Sequence, residues 1–108
     1  MATVVVTAQA SEQIASLPIT IIARMEALMQ RLRNWPDVSG AKRLKGALAG
    51  SYRLRTGDYR LQFRVETIQH TNTVRKLVRG KWTVEEVTTK EVRVIVDRAG
   101  HRDGFYDD

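Results

Sequence analysis

The strongest local constraint in this chain is the stretch SYRLRTGDYRLQF, residues 51–63. Gly57-Asp58 fits a two-residue hairpin turn of type II′, whose first central position takes a positive φ that glycine adopts without cost. A turn of that length dictates the register. Counting outward pairs Thr56 with Tyr59, Leu54 with Leu61 and Tyr52 with Phe63, an apolar face ready to lie against helices. The other face pairs Arg55 with Arg60, Arg53 with Gln62 and Ser51 with Arg64. Like charges directly opposite on a sheet are destabilising, so a surface of this kind needs a compensating anion.

The rest of the chain reads around that hairpin. TVVVTAQA (3–10) has the alternation of a short first strand, with Val4 and Val6 on one face and Val5 and Thr7 on the other. A helical region follows from SEQIASLP, with Ser11 as its expected N-cap. Pro18 suits the first turn of a longer helix, in which Ile21, Ile22, Met25, Leu28, Met29, Leu32 and Trp35 recur at three- and four-residue steps before Pro36. That stripe is a core face, not a cofactor box. DVSGAKRLKGALAG (37–50) is a glycine-punctuated basic connector with room for one loose helical turn, and EVRVIVD (91–97), apolar on both faces, suits a central strand. Residues 67–90 are expected to form an extra hairpin or extended loop around an Arg79-Gly80-Lys81 turn. The order β, α, α, then several β predicts one α+β domain over 1–108: an N-terminal strand, a helical hairpin and a small, mostly antiparallel twisted sheet, with an insertion at about 67–90.

Charge narrows the function. The net charge is +6, and the middle of the chain supplies it: residues 31–60 carry eight Lys/Arg against two Asp, whereas 61–108 are nearly balanced at nine against eight. Such a band implies a polyanion or an acidic protein partner, against the alternative of a solvated face. There is no cysteine, which excludes disulfides and thiolate metal sites. The N-terminus has no signal-peptide pattern and no apolar run is long enough for a bilayer, so a cytoplasmic protein without membrane partners is expected. The segment DRAGHRDGFYDD (97–108) concentrates Arg98, His101, Arg102, Asp103 and Tyr106. A metal site from His101 with Asp103, Asp107 or Asp108 lacks ligand spacing, so no metal or other cofactor is expected. A strand-end His or Tyr on its own commonly caps a sheet. Together with several arginines they form a different set: guanidinium forks grip phosphate oxygens, and imidazole and phenol transfer protons. Metal-free RNA cleavage needs those groups, one to activate the ribose 2′-OH, one to protonate the leaving 5′-oxygen and cations to stabilise the phosphorane.

LKGALAGSYRLRTGDYRLQFRVE (44–66) and VRVIVDRAGHRDGFY (92–106), with TAQASEQIASLP (7–18), resemble the RelE/ParE toxin superfamily, specifically its RelE-like members. The resemblance implies a RelE-like fold and a ribosome-dependent endoribonuclease, an mRNA interferase of a type II toxin–antitoxin system, held inactive by an acidic antitoxin. It assigns transition-state stabilisation to Arg60, the basic pair after the last strand to His101 and Arg102, and the terminal tyrosine of the motif to Tyr106, as catalytic residues. Arg53 and Arg55 then contact substrate phosphate, and Lys42, Arg43 and Lys45 extend the RNA-binding band. Some relatives carry lysine where Arg53 and Arg55 stand; arginine is a poor general base, which moves proton transfer towards His101 and Tyr106. The 67–90 spacer is longer than the family's tight connection, and no helix is expected after Tyr106. A ParE-like toxin that binds and inhibits DNA gyrase without cutting RNA is the alternative, sharing the fold but having no use for a His/Arg/Tyr set.

Overall fold

The computed structural model describes residues 1–104; Tyr106, with Phe105, Asp107 and Asp108, lies outside the described residues. Strand β1 (Thr3–Val6) leads into helices α1 (Ala8–Ala15) and α2 (Ile19–Leu32), then β2 (Lys42–Arg43), β3 (Ser51–Thr56), β4 (Tyr59–Val78) and β5 (Lys81–His101). Short 3₁₀ turns occupy Gly46–Leu48 and Arg102–Gly104. The strands form one sheet in the order β1-β5-β4-β3-β2. Only β1 and β5 run parallel; the other pairs are antiparallel. The expected α+β architecture is therefore the observed one.

The first strand is shorter than its alternation predicts, and Ser11 is not the cap. Thr7 ends β1 and caps α1, its hydroxyl accepting from the Ala10 N–H at 3.1 Å. Ala8, Gln9 and Ala10 are good helix formers, and Ala10 is fully buried. Pro18 is the N-cap residue of α2, whose carbonyl accepts from Ile21 and Ile22. The helix ends at Leu32, before Pro36, in tightened turns that carry Trp35 back onto the core. Ile21, Met25, Leu28 and Leu32 are buried, with Ile22, Met29 and Trp35 packed beside them, so the stripe is core.

On the sheet side the core is Leu54, Leu61, Phe63, Val94, Val96 and Ala99. Trp35, Tyr52 and Phe63 form an aromatic cluster with ring centroids 4.7–5.5 Å apart. The β3–β4 register is the one the Gly57-Asp58 turn requires, from Thr56↔Tyr59 to Ser51↔Arg64, with Gly57 at φ +60°. Strand β5 is central, as its two apolar faces predict, but it is far longer than 91–97. It continues to His101 opposite Tyr59, and it begins at Lys81, where 67–78 and 81–92 form a two-stranded ribbon closed at Arg79-Gly80. The insertion is thus a continuation of the two central strands. One irregularity interrupts the ladder: Gln62 pairs with Arg98 and Phe63 with Val96, leaving Asp97 as an extra residue in a bulge.

Candidate nucleic-acid interface

Directly paired residues on neighbouring strands share a face of the sheet. On the face away from the helices the register builds two cationic rows. Lys42, Arg53, Gln62 and Arg98 follow one another across β2, β3, β4 and β5, and beside them run Arg55, Arg60 and Gly100. Arg53 is 2 % exposed, Arg60 5 % and Gln62 7 %, although the pleat turns all three away from the helical core. Arg55 is exposed. Hydrophobic cores seldom contain arginine, so this face is a polar layer in which Arg53 and Arg60 are buried.

Bulged Asp97 organises the row. Its carboxylate accepts from Gln62 Nε2 at 3.2 Å and from Arg64 Nη1 at 3.0 Å. Arg98 donates to the Gly104 carbonyl. The turn after β5 folds back onto the hairpin, where the Arg102 N–H donates to the Asp58 carbonyl at 2.8 Å and its guanidinium lies 3.8 Å from the Asp58 carboxylate. Arg102 is thereby held near Arg60. Burial lowers the Arg60 pKa from its ordinary value, and the charges of Arg55 and Arg102 lower it further, against a smaller opposing pull from Asp58. The guanidinium nonetheless stays protonated at any working pH. Such a surface stabilises an anion laid on it, because the anion removes the repulsion among the cations.

The other candidates fall elsewhere. His101, paired with Tyr59, takes the helix-side face at the end of β5, its ring 5.3 Å from that of Tyr59. The alternation therefore separates it by one pleat from Arg60 and Gly100. Its Nδ1 is 3.3 Å from both the Asp103 carboxylate and the Asp103 N–H; it donates to the first when protonated and accepts from the second when not. Arg43 also takes the helix-side face, donating to the Tyr52 hydroxyl at 3.3 Å, which raises its pKa. Lys45 caps the Gly46–Leu48 turn. The structure thus groups Lys42, Arg53, Arg55, Arg60 and Arg102 and places Arg43 and His101 on the opposite side.

Sequence reasoning named Arg98 among the reactive residues without giving it a role, and left out Gln62 and Asp97 as site residues. Their signal is the pairing of 97–101 against 59–62, which becomes legible only once β5 is known to run past Asp97 through a bulge. Among the described residues no three His, Cys, Asp or Glu side chains converge as a metal site, and no helix is long and apolar enough to cross a membrane.

No protein-family model and no curated protein matches the sequence. Among solved structures, the chain is similar to a chain of the toxin–antitoxin complex RelBE2 from Mycobacterium tuberculosis. The two are 24 % identical, with a TM-score of 0.62 over 94 % of this chain and 91 % of that one. The chain thus shares its fold with a member of the RelBE2 complex.

Proposed function

We propose that the chain is the toxin of a type II toxin–antitoxin pair, and that it cuts translated mRNA on the ribosome without a metal. The observation that carries this reading is Arg60, buried between two like charges on a face that a polyanion would neutralise. The likeness to a chain of a toxin–antitoxin complex supports the toxin part. In the reaction the ribose 2′-oxygen attacks the adjacent phosphorus as its proton passes to a base. The bond to the 5′-oxygen breaks as an acid protonates it, leaving a cyclic phosphate and a 5′-hydroxyl. Arg60 and Arg102 stabilise the phosphorane charge. Arg55 and Lys42 hold the flanking phosphates, buried Arg53 adding its charge from beneath them, and Arg43 and Lys45 extend the RNA contact around the sheet edge. His101, half-exposed at the end of β5, and Tyr106 supply the proton transfers for a phosphate overhanging that edge. An acidic antitoxin segment laid over the same face would block RNA and neutralise the charge together, and the site of action is the cytoplasm.

Primer extension on mRNA from cells expressing the chain tests this. Cuts confined to translated frames are expected, with Arg60→Ala slowing cleavage about 10²–10³-fold and Tyr106→Phe about 10²–10⁴-fold. Growth arrest with DNA damage and intact mRNA would instead establish gyrase inhibition, and cutting at wild-type rates by both variants would remove the assigned roles.

A further inference from the structure

The ribbon formed by 67–78 and 81–92 contributes little to the core, yet it gives the molecule a 66 Å long axis. Twelve residues per strand extend about 40 Å. Its tip, Arg75 to Trp82, contains four cations and no acid. Lys76 pairs with Glu85 at 3.2 Å, whereas Arg75, Arg79 and Lys81 make no ion pair among the described residues. Arg79 holds φ +50° in the closing turn, a conformation that favours Asn or Gly. A cation therefore occupies the apex against local preference. Just behind it Trp82 is 69 % exposed, directly opposite Leu77, and Val84 follows on the same face beside Arg75. The residue two before Trp82 is Gly80, so on the apical side the indole has no neighbouring side chain on its own strand.

We infer that this ribbon is an RNA-binding arm, whose tip cations hold the phosphates of a stem–loop while Trp82 stacks on an unpaired loop base. Charge complementarity selects the occupant. Three of the four pairs at the tip, Val78–Lys81, Lys76–Thr83 and Arg75–Val84, carry a cation, and no acid lies between Arg75 and Trp82. Basic residues around an exposed aromatic ring are the means by which proteins hold unstacked RNA bases. Reach is the consequence: the tip contacts RNA tens of ångströms from the cationic sheet face. The inference goes beyond the proposed cleavage and does not depend on it.

The test is fluorescence anisotropy of the full-length chain with a stem–loop RNA carrying 2′-O-methyl groups throughout, which cannot undergo 2′-OH attack, so only binding is read. At about 0.7–0.9 per phosphate contact, replacing Arg75, Arg79 and Lys81 by Ser should flatten log affinity against log salt by about 2 to 3. Lys81→Ser alone should take about a third of that. Trp82→Ser should weaken stem–loop binding about 5- to 100-fold while leaving the salt slope, and the affinity for a loop-free duplex, unchanged. The tip lies outside the core, and melting curves of each variant verify that it folds. An undiminished slope in the triple variant, or no binding by the wild-type chain, overturns the inference. So does intact RNA binding accompanied by loss of self-association or of antitoxin binding in sedimentation, which would make the ribbon a protein interface. None of these results alters the outcome of primer extension with Arg60→Ala.

Discussion

Arg60→Met should make the protein more stable and less active at once. Arg60 is 5 % exposed and directly opposite Arg55, and its pKa is lowered by burial and by Arg55 and Arg102. The folded state therefore disfavours the charge that the unfolded state leaves in water. A like-charge pair facing across two strands costs roughly 0.2–1 kcal/mol. Arg102 is more than half exposed, and screening limits its share to a few tenths (~0.2–0.5 kcal/mol). Methionine keeps the apolar stem packed and removes the charge at the cost of the 3.5 Å hydrogen bond to the Gly57 carbonyl, so the net gain is at most about 1 kcal/mol, since replacing buried charge by apolar volume is neutral to stabilising. In a domain of this size about 1 kcal/mol raises the thermal midpoint about 4–8 °C. The sign is independent of pH between about 5 and 9, because arginine remains protonated throughout. In about 1 M salt the gain should shrink. Scanning calorimetry of Arg60→Met, Arg55→Met and the double variant closes the cycle, with a repulsive coupling between the two positions. A midpoint lowered by several degrees in Arg60→Met, or an attractive coupling, would refute the reasoning and make Arg60 a structural pillar.

Two further outcomes follow from the packing. Phe63 is fully buried between Trp35, Tyr52 and Val96, so Phe63→Ala should cost about 3–5 kcal/mol in urea unfolding; a loss below ~1 kcal/mol would mean that the aromatic cluster is not a cornerstone. The Glu91 pKa is lowered first by the hydrogen bond from His70 and then by that from Arg93. A depressed carboxylate stabilises the fold above its unfolded pKa of about 4.3 and loses that contribution as pH falls through the folded value. Glu91→Gln should accordingly lower the urea midpoint at pH 7 and flatten its fall below about pH 5, and parallel curves for the two proteins would sink this assignment.

Much of the fold was legible because its determinants are local. The Gly57-Asp58 turn and the period-two alternation on either side specify every pair from Thr56↔Tyr59 to Ser51↔Arg64 without reference to the rest of the chain. The α2 stripe was legible for a similar reason, since its three- and four-residue steps name the buried face. Thr7 shows the limit: alternation continued through it in sequence, but a side-chain hydrogen bond to Ala10 ended the strand early. The candidate site was legible only by half. Arg53, Arg55 and Arg60 were assigned to one face correctly, but not the burial of Arg53 and Arg60. His101 was read as a neighbour of the arginines, and the pairing with Tyr59 turns it to the other side.

What the amino-acid order determined alone, then, is the hairpin, the helical face and the concentration of positive charge in 31–60, all of which depend on residues within a few positions of one another. Tertiary structure decided how β5 lies against β4. That pairing joins segments up to about forty residues apart, and one extra residue at Asp97 changes which side chains face the arginines. It also decided that the 67–90 segment extends the two central strands away from the body, since a ribbon with β-branched residues and a turn signal has no local reason to choose between packing on a core and reaching past it. A strand carries its own alternation, but its partner alone sets which residues it meets.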